Sequence, residues 1–397
     1  MTTSHHIPKA PSIWVPLFSL LLGGVAVHVA GKQPDILYFD FVFAVWVIYQ
    51  VFWKGFFPSF SGQIVSIGVL CVIAGLFSTL VNLRDMYRGV AASKVLAVGI
   101  LVYAVARKAR LRLFAPSIFG ACASILLLRD YQSLRYESFE GLTGLKDEIE
   151  ITMGHSNSVA SILILLIPLA IAGACLNRGK RRWIFILCSM LMCSGLLATM
   201  SRGAILAILG AALLSLPFLR KAGLKIRHGV VGLLAMSLTL ALVPADLLET
   251  NAALFLYRWE NPDDARVEIM HASWEAFLEN PVLGVGPGEL GDAINHHLIV
   301  PTIAGGHQYN AHNLVIDSLA EMGLPTGLAL LFIVALVLRK AWLAVAADAS
   351  ALNVAVWVAL LAAVMHNMVE ASFEGEQFQV VFWTVAAMAG NLNERSQ

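Results

Sequence analysis

Apolar stretches long enough, or nearly long enough, to cross a hydrocarbon layer of roughly 30 Å recur along the whole chain. They fall near 13–30, 36–53, 63–81, 89–106, 113–128, 158–176, 183–200, 203–219, 229–245, 314–338, 350–368 and 374–390. The pattern predicts an all-α polytopic membrane protein with about twelve transmembrane helices, forming one transmembrane domain over 1–397. Span five, LFAPSIFGACASILLL, is short and contains Pro116, and span twelve begins beside Glu374 and Glu376.

The polar segments between the spans set a direction. RKARLR at 107–112, NRGKRR at 177–182, LRKAGLKIR at 219–227 and RKAW at 339–342 are basic and follow even-numbered spans. The alternate connections are acidic or mixed, as in RDYQSLRYESFEGLTGLKDEIE at 129–150. Lysine and arginine stay on the cytoplasmic side, so the alternation predicts twelve crossings with both termini cytoplasmic. Two outer loops are long, 129–157 and 246–312, the second lying between spans nine and ten. At that length the larger one is expected to hold secondary structure of its own.

Composition agrees with the membrane reading. Hydrophobic residues are 58% of 397 and charged residues 13%, against roughly a quarter charged in a soluble domain. The net charge of +1 says little, because what counts is where the charges fall; no nucleic-acid partner is expected. Cys71, Cys122, Cys175, Cys188 and Cys193 all sit in apolar runs without CxxC spacing and read as small buried hydrophobes.

Against this background the outer charges are informative. Arg202, in TMSRGA, stands between spans seven and eight on the side where a casual arginine is disfavoured. It is expected to snorkel, to pair with a carboxylate, or to bind an anionic headgroup or diphosphate, for which arginine presents a planar set of donors. Arg266 belongs to the same side. Arg84, Arg88 and Lys94 lie at the outer end of span four, and Lys94 needs a polar partner at its depth. Within the large loop, DDARVEIMHASWEAFLENP reads as an amphipathic helix. Its N-terminal end carries Asp263 and Asp264, Ile269, Ala272, Trp274 and Phe277 face a partner surface, and Pro281 ends it. VLGVGPGELG follows, with Gly284, Gly286 and Gly288 marking tight turns; no phosphate-binding GxxxxGK[ST] is present.

Four of the eleven histidines, His296, His297, His307 and His312, precede span ten. Histidine serves as a general base near neutral pH or as a metal ligand, but no HExxH accompanies them. His312 and Asn313 sit where the chain enters the membrane, with Asp317 and Glu321 a turn or more further in. His366, Asn367 and Glu370, at i, i+1 and i+4, are expected to share one face at the outer end of span eleven. They line a polar cavity with the His312 region or make interhelical hydrogen bonds.

TMSRGAILA at 199–207, RVEIMHASWEAFLENPVLGVGPGEL at 266–290 and AHNLVIDSLAEMGLPTG at 311–327, with the twelve-span layout, resemble the bacterial O-antigen ligase and polymerase superfamily. The resemblance covers the C-terminal half by motif and the remainder by topology only. It implies a GT-C-like glycosyltransferase of the inner membrane, with its active site facing the periplasm, its donor an undecaprenyl-diphosphate-linked glycan and its acceptor a sugar hydroxyl of lipid A-core. It further implies metal-independent, inverting transfer without a cofactor. By motif position His312, Arg202 and Arg266 would be catalytic, and Arg88 and Asn313 would bind substrate. The ligase reading leads. A polymerase acting on a second lipid-linked glycan, a protein O-oligosaccharyltransferase and a transporter of lipid-linked substrate remain the alternatives.

Overall fold

The computed structural model describes residues 45–49, 52, 62–82, 85–107, 113–133, 156–222, 264–295 and 310–394. Spans one and nine, most of span two, and Arg84, Asp263, His296, His297 and His307 lie outside the described residues. The described chain is all-α. In order it forms α1 (Gln63–Asn82), α2 (Met86–Ala106), α3 (Phe114–Ser133), α4 (Ser156–Leu176), α5 (Gly179–Ala198), α6 (Arg202–Leu214) and α7 (Leu216–Lys221). There follow α8 (Asp264–Glu279), α9 (Leu290–Ile294), α10 (Leu314–Ala347), α11 (Ala351–His366), a 3-10 turn (Ser372–Glu374) and α12 (Glu376–Glu394). Among them α1, α2, α4, α5 and α10 are long and apolar enough to cross a membrane; α6, α11 and the Phe114–Leu128 part of α3 are shorter apolar helices. The protein is therefore a multi-span membrane protein.

The bundle is ordered around α4, which packs against α3, α5, α11 and α12. Ile162, Leu163, Ile164 and Leu165 are consecutive and all fully buried, so this stretch of the helix shows no outward face. Helix α12 supplies Phe378, Phe382 and Trp383 to the same core, and the Trp383 indole N–H donates to Gln379 Oε1 at 2.6 Å. On the periphery the pattern inverts. Leu206, Leu209 and Leu213 on α6, and Leu70, Ile73 and Phe77 on α1, form exposed apolar stripes that suit lipid and not water. Lys94 on α2 finds the partner its depth demands, Glu376 Oε2 at 3.1 Å.

Two predicted elements, and the burial of one cysteine, differ from what is observed. Span eight is split into α6 and α7, because Pro217 has no N–H to continue the ladder; Ser215, whose hydroxyl donates to Ala211 O at 2.6 Å, marks the break. Span ten runs to Ala347, so RKAW at 339–342 is helix instead of connection. Cys175, expected inside, is exposed, whereas Cys71 and Cys188 are buried and Cys122 and Cys193 lie between these extremes.

Helix α10 is also broken internally, and the break holds residues 281–286 of the large loop in place. Gly323 takes φ 70°, ψ 173°, and Pro325 follows. Proline at 325 cannot donate back to Glu321, so the Glu321 carbonyl loses its helical partner. The loop replaces it: Gly286 N–H donates to Glu321 O at 3.0 Å, Val285 N–H donates to Ala320 O at 2.8 Å, and Leu324 N–H donates to Pro281 O at 2.8 Å. Gly284, at φ +70°, lies so close that a Cβ there would strike the Glu321 carbonyl, and a Cβ on Gly323 would strike that of Val282. Ser78 Oγ and Asn82 Nδ2 on α1 donate to Leu283 O and Gly284 O at 2.8 and 3.2 Å.

Upstream of this clip, α8 rests on α10 through Ile269, Ala272, Ala276 and Phe277. Trp274 departs from the expectation: it is 41% exposed. The buried stripe runs 269, 272, 273, 276, 277, the i, i+3, i+4 rule that brings Ser273 inside and leaves 274 at its edge.

Candidate active site

Helix α11 ends at His366, and the next four residues make a tight turn on which several chain segments converge. Asn367 closes the helix: its N–H and its side-chain Nδ2 both donate to Ala363 O, and its Oδ1 accepts from Phe373 N–H. Val369 N–H donates to His366 O at 3.0 Å. The expectation that His366, Asn367 and Glu370 share a helical face is thereby corrected. Glu370 lies beyond the helix and is carried round by the turn.

The start of α10 docks on this turn. Leu314 N–H, one of the donors a helix N-terminus leaves without an internal partner, donates to Asn367 O at 2.7 Å. Asn313 is the N-cap, its Oδ1 accepting from Val315 and Ile316 N–H at 3.0 and 3.2 Å, while its Nδ2 donates to Met368 O at 3.1 Å. Both ends of the Asn313 amide are thus engaged with protein, so the observed task of this residue is to join α10 to the turn. On the other side Ala311 N–H donates to Asp317 Oδ1 at 2.6 Å. Between these two anchored neighbours His312 adopts φ +49°, a left-handed conformation uncommon for a non-glycine residue and held here by the bonds on either side.

That backbone delivers the imidazole to Glu370: His312 Nδ1 lies 3.1 Å from Glu370 Oε1. Glu370 Oε2 accepts from Asn157 Nδ2 at 2.6 Å and lies 3.7 Å from Arg266 Nη2. Arg266 Nη1 donates to Val369 O at 3.0 Å. One carboxylate therefore binds a histidine from the start of α10, an arginine from α8 and an asparagine from α4. Its side chain is 13% exposed, the His312 side chain 25% and Arg266 41%. Burial pushes the Glu370 carboxyl pKa up, but the hydrogen bond and charge of His312, followed by the charges of Arg266 and His366, prevail and hold it at about 2.

The start of α6 comes to the same turn from another direction. The chain leaves α5 through Met200 at φ 52°, and Ser201 caps α6, of which Arg202 is the first residue. Gly203 then faces the turn: a Cβ built there would lie 3.0 Å from Val369 Cγ2 and 3.2 Å from His366 Nδ1. Arg266 itself, and Gly203 next to Arg202, thus come to the His366–Glu370 turn. Arg88 stands elsewhere, at the start of α2, bonded to Asp85 Oδ2 at 3.3 Å and Asp292 Oδ2 at 2.6 Å. Asn157 was not foreseen, since nothing in SNSVASILIL distinguishes it from an ordinary residue at a helix start.

The arrangement assigns a proton. A carboxylate only accepts, so the Nδ1 facing Glu370 carries the hydrogen in neutral imidazole and Nε2 is left with its lone pair. A carboxylate behind a histidine also stabilises the imidazolium formed when Nε2 takes a proton. Arg266 lies against the same carboxylate. Such an arrangement can take a proton from a hydroxyl.

Residues 187–331, rather more than a third of the chain, match the family model described as O-antigen ligase. That match supports assignment of the chain to the O-antigen ligase family and takes in Arg202, Arg266 and His312, while Arg88, Asn157 and Glu370 lie outside it. No curated protein sequence matches the chain.

Proposed function

From a chain whose residues 187–331 match the O-antigen ligase family, we propose an inner-membrane glycosyltransferase. It moves a glycan from undecaprenyl diphosphate to a sugar hydroxyl of lipid A-core on the periplasmic side. The observation that carries this reading is the His312–Glu370 pair, with Arg266 on the same carboxylate.

The donor's anomeric carbon already bears a diphosphate leaving group. The residues must therefore neutralise charge as that bond breaks and raise the nucleophilicity of the acceptor oxygen. Arg202 and Arg266 bind the departing diphosphate, whose lipid tail remains in the bilayer. His312 Nε2 removes the acceptor hydroxyl proton as the oxygen bonds to the anomeric carbon, and Glu370 holds the ring and steadies the imidazolium. Attack from the face opposite the leaving group inverts the anomeric centre in one step, with no covalent sugar on the protein. Charge placement supports the outward orientation of the site. Arg178, Lys180, Arg181, Arg182, Arg220 and Lys221 lie at helix ends remote from the His312 turn, where the cytoplasmic side is expected.

The test is reconstitution in liposomes with an undecaprenyl-diphosphate-linked glycan and, in separate reactions, lipid A-core or a second lipid-linked glycan. The expected product is glycosylated lipid A-core with release of undecaprenyl diphosphate. Elongated lipid-linked glycan in its place overturns the ligase assignment in favour of a polymerase. No transfer with verified substrates removes the enzymatic reading.

A further inference from the structure

Beside the His312 turn lies a cavity of about 330 Å³, walled by α2, the 287–288 turn, the first part of α10 and the segment 371–374. Three carboxylic acids line it, Asp317, Glu321 and Glu374, together with apolar and aromatic surface from Leu314, Tyr87 and Phe373. Two of the acids are tied to protein: Glu321 Oε1 accepts from Gly288 N–H at 3.0 Å, and Glu374 Oε2 accepts from Asn310 Nδ2 at 3.0 Å. Asp317 is different. Its Oδ1 accepts from Ala311 N–H, but its Oδ2 has no hydrogen-bond partner among the described residues, although the residue is only 8% exposed. A buried carboxylate oxygen at a cavity wall without a donor costs free energy that a ligand donor recovers.

The lining selects the chemistry. Arg88, the one cation among the described lining residues, is already paired with Asp85 and Asp292. The acidic wall disfavours a diphosphate. The described carboxylates are not arranged as metal ligands either. A ligand that offers several O–H donors at its edge and C–H surface on its faces meets both kinds of wall. Resting on the transferase reading above, we propose that this cavity seats a neutral, hydroxyl-rich ring of the acceptor glycan, with Asp317 as its principal hydrogen-bond acceptor. Asp317 also anchors Ala311, the residue before His312, and Leu314 in the wall lies two residues after it. The ring is thus held next to the base.

The experiment measures binding without donor lipid, using the full chain in nanodiscs. The probes are delipidated core oligosaccharide and, separately, the free glycan released from the donor. Core oligosaccharide is expected to bind the wild type. It should bind Asp317→Asn about ten-fold more weakly, because the amide presents N–H where an acceptor is needed. Ala91→Leu, which narrows the cavity from α2 without altering a carboxylic acid, should show a similar loss. In turnover Asp317→Asn should raise the acceptor KM and leave the donor KM unchanged. Equal binding by the wild type and both cavity variants overturns the proposal, as does preference for the released donor glycan. Transfer without cavity-dependent binding overturns the cavity assignment alone, whereas cavity-dependent binding without transfer supports it and overturns the transferase reading.

Discussion

Glu370 concentrates several roles in one side chain, and its replacement separates them. Glu370→Gln keeps an oxygen that accepts from His312 Nδ1 but removes the charge that steadies the imidazolium. We expect kcat to fall about 10²- to 10⁴-fold with acceptor KM little changed, as steady-state transfer kinetics will show. Stability carries a second signature. The folded-state pKa lies at about 2, below the ordinary 4.5, so the stabilisation is complete above the ordinary value and is lost as pH falls toward 2. The difference in thermal midpoint between wild type and Glu370→Gln should be constant from pH 7 to about 5 and shrink below that; a difference that grows in acid contradicts the pairing. Arg202 tests donor geometry. Lysine keeps the charge but not the planar fork, and Arg202→Lys should lose roughly two to three decades in rate. Near-normal transfer would reduce Arg202 to a simple charge at the membrane boundary.

Among the helices, the break in α10 decides where residues 281–286 sit. Pro325 and Gly323 leave carbonyls that accept from the Val285 and Gly286 N–H groups, and the two positive-φ glycines allow the backbones to meet. Gly323→Ala places a Cβ against the Val282 carbonyl in a conformation that L residues avoid. Destabilisation should exceed about 1–3 kcal/mol, the range for a residue held in such a region without a clash. Thermal unfolding in detergent will measure this, and limited proteolysis should show faster cleavage between residues 281 and 290. Protection equal to the wild type would mean that the clip does not hold the loop. The Gly-rich run was visible in the sequence as a turn signal, whereas Gly323 and Pro325 fell inside a span read as continuous. That the two segments answer each other was not visible, because the pairing joins residues 281–286 to 320–324 through backbone groups that every residue possesses.

For the molecule as a whole, membrane sidedness is the property most open to direct test. The proposed orientation puts α8 outside and the start of α5 inside. With the five native cysteines replaced, Trp274→Cys should react with an impermeant maleimide in cells with a permeabilised outer membrane. Lys180→Cys should react only after the inner membrane is opened; both positions are exposed. The reverse pattern would place the His312 turn in the cytoplasm and end the periplasmic reading.

Hydrophobic block length and charge alternation determined the membrane class and the places of α1 to α6, α10 and α11, because burial in lipid is a property of composition that each segment carries by itself. Motifs likewise named Arg202, Arg266 and His312 before any distance was known. Tertiary structure decided what those residues meet. It ended α11 at His366 and so delivered Glu370 to His312, and it brought Asn157 from α4 and Arg266 from α8 to one carboxylate. It also turned Asp317 toward a cavity shared with Glu374. A site of this kind depends on the directions in which side chains leave five separated segments, and no local pattern of hydrophobicity or charge records a direction in space.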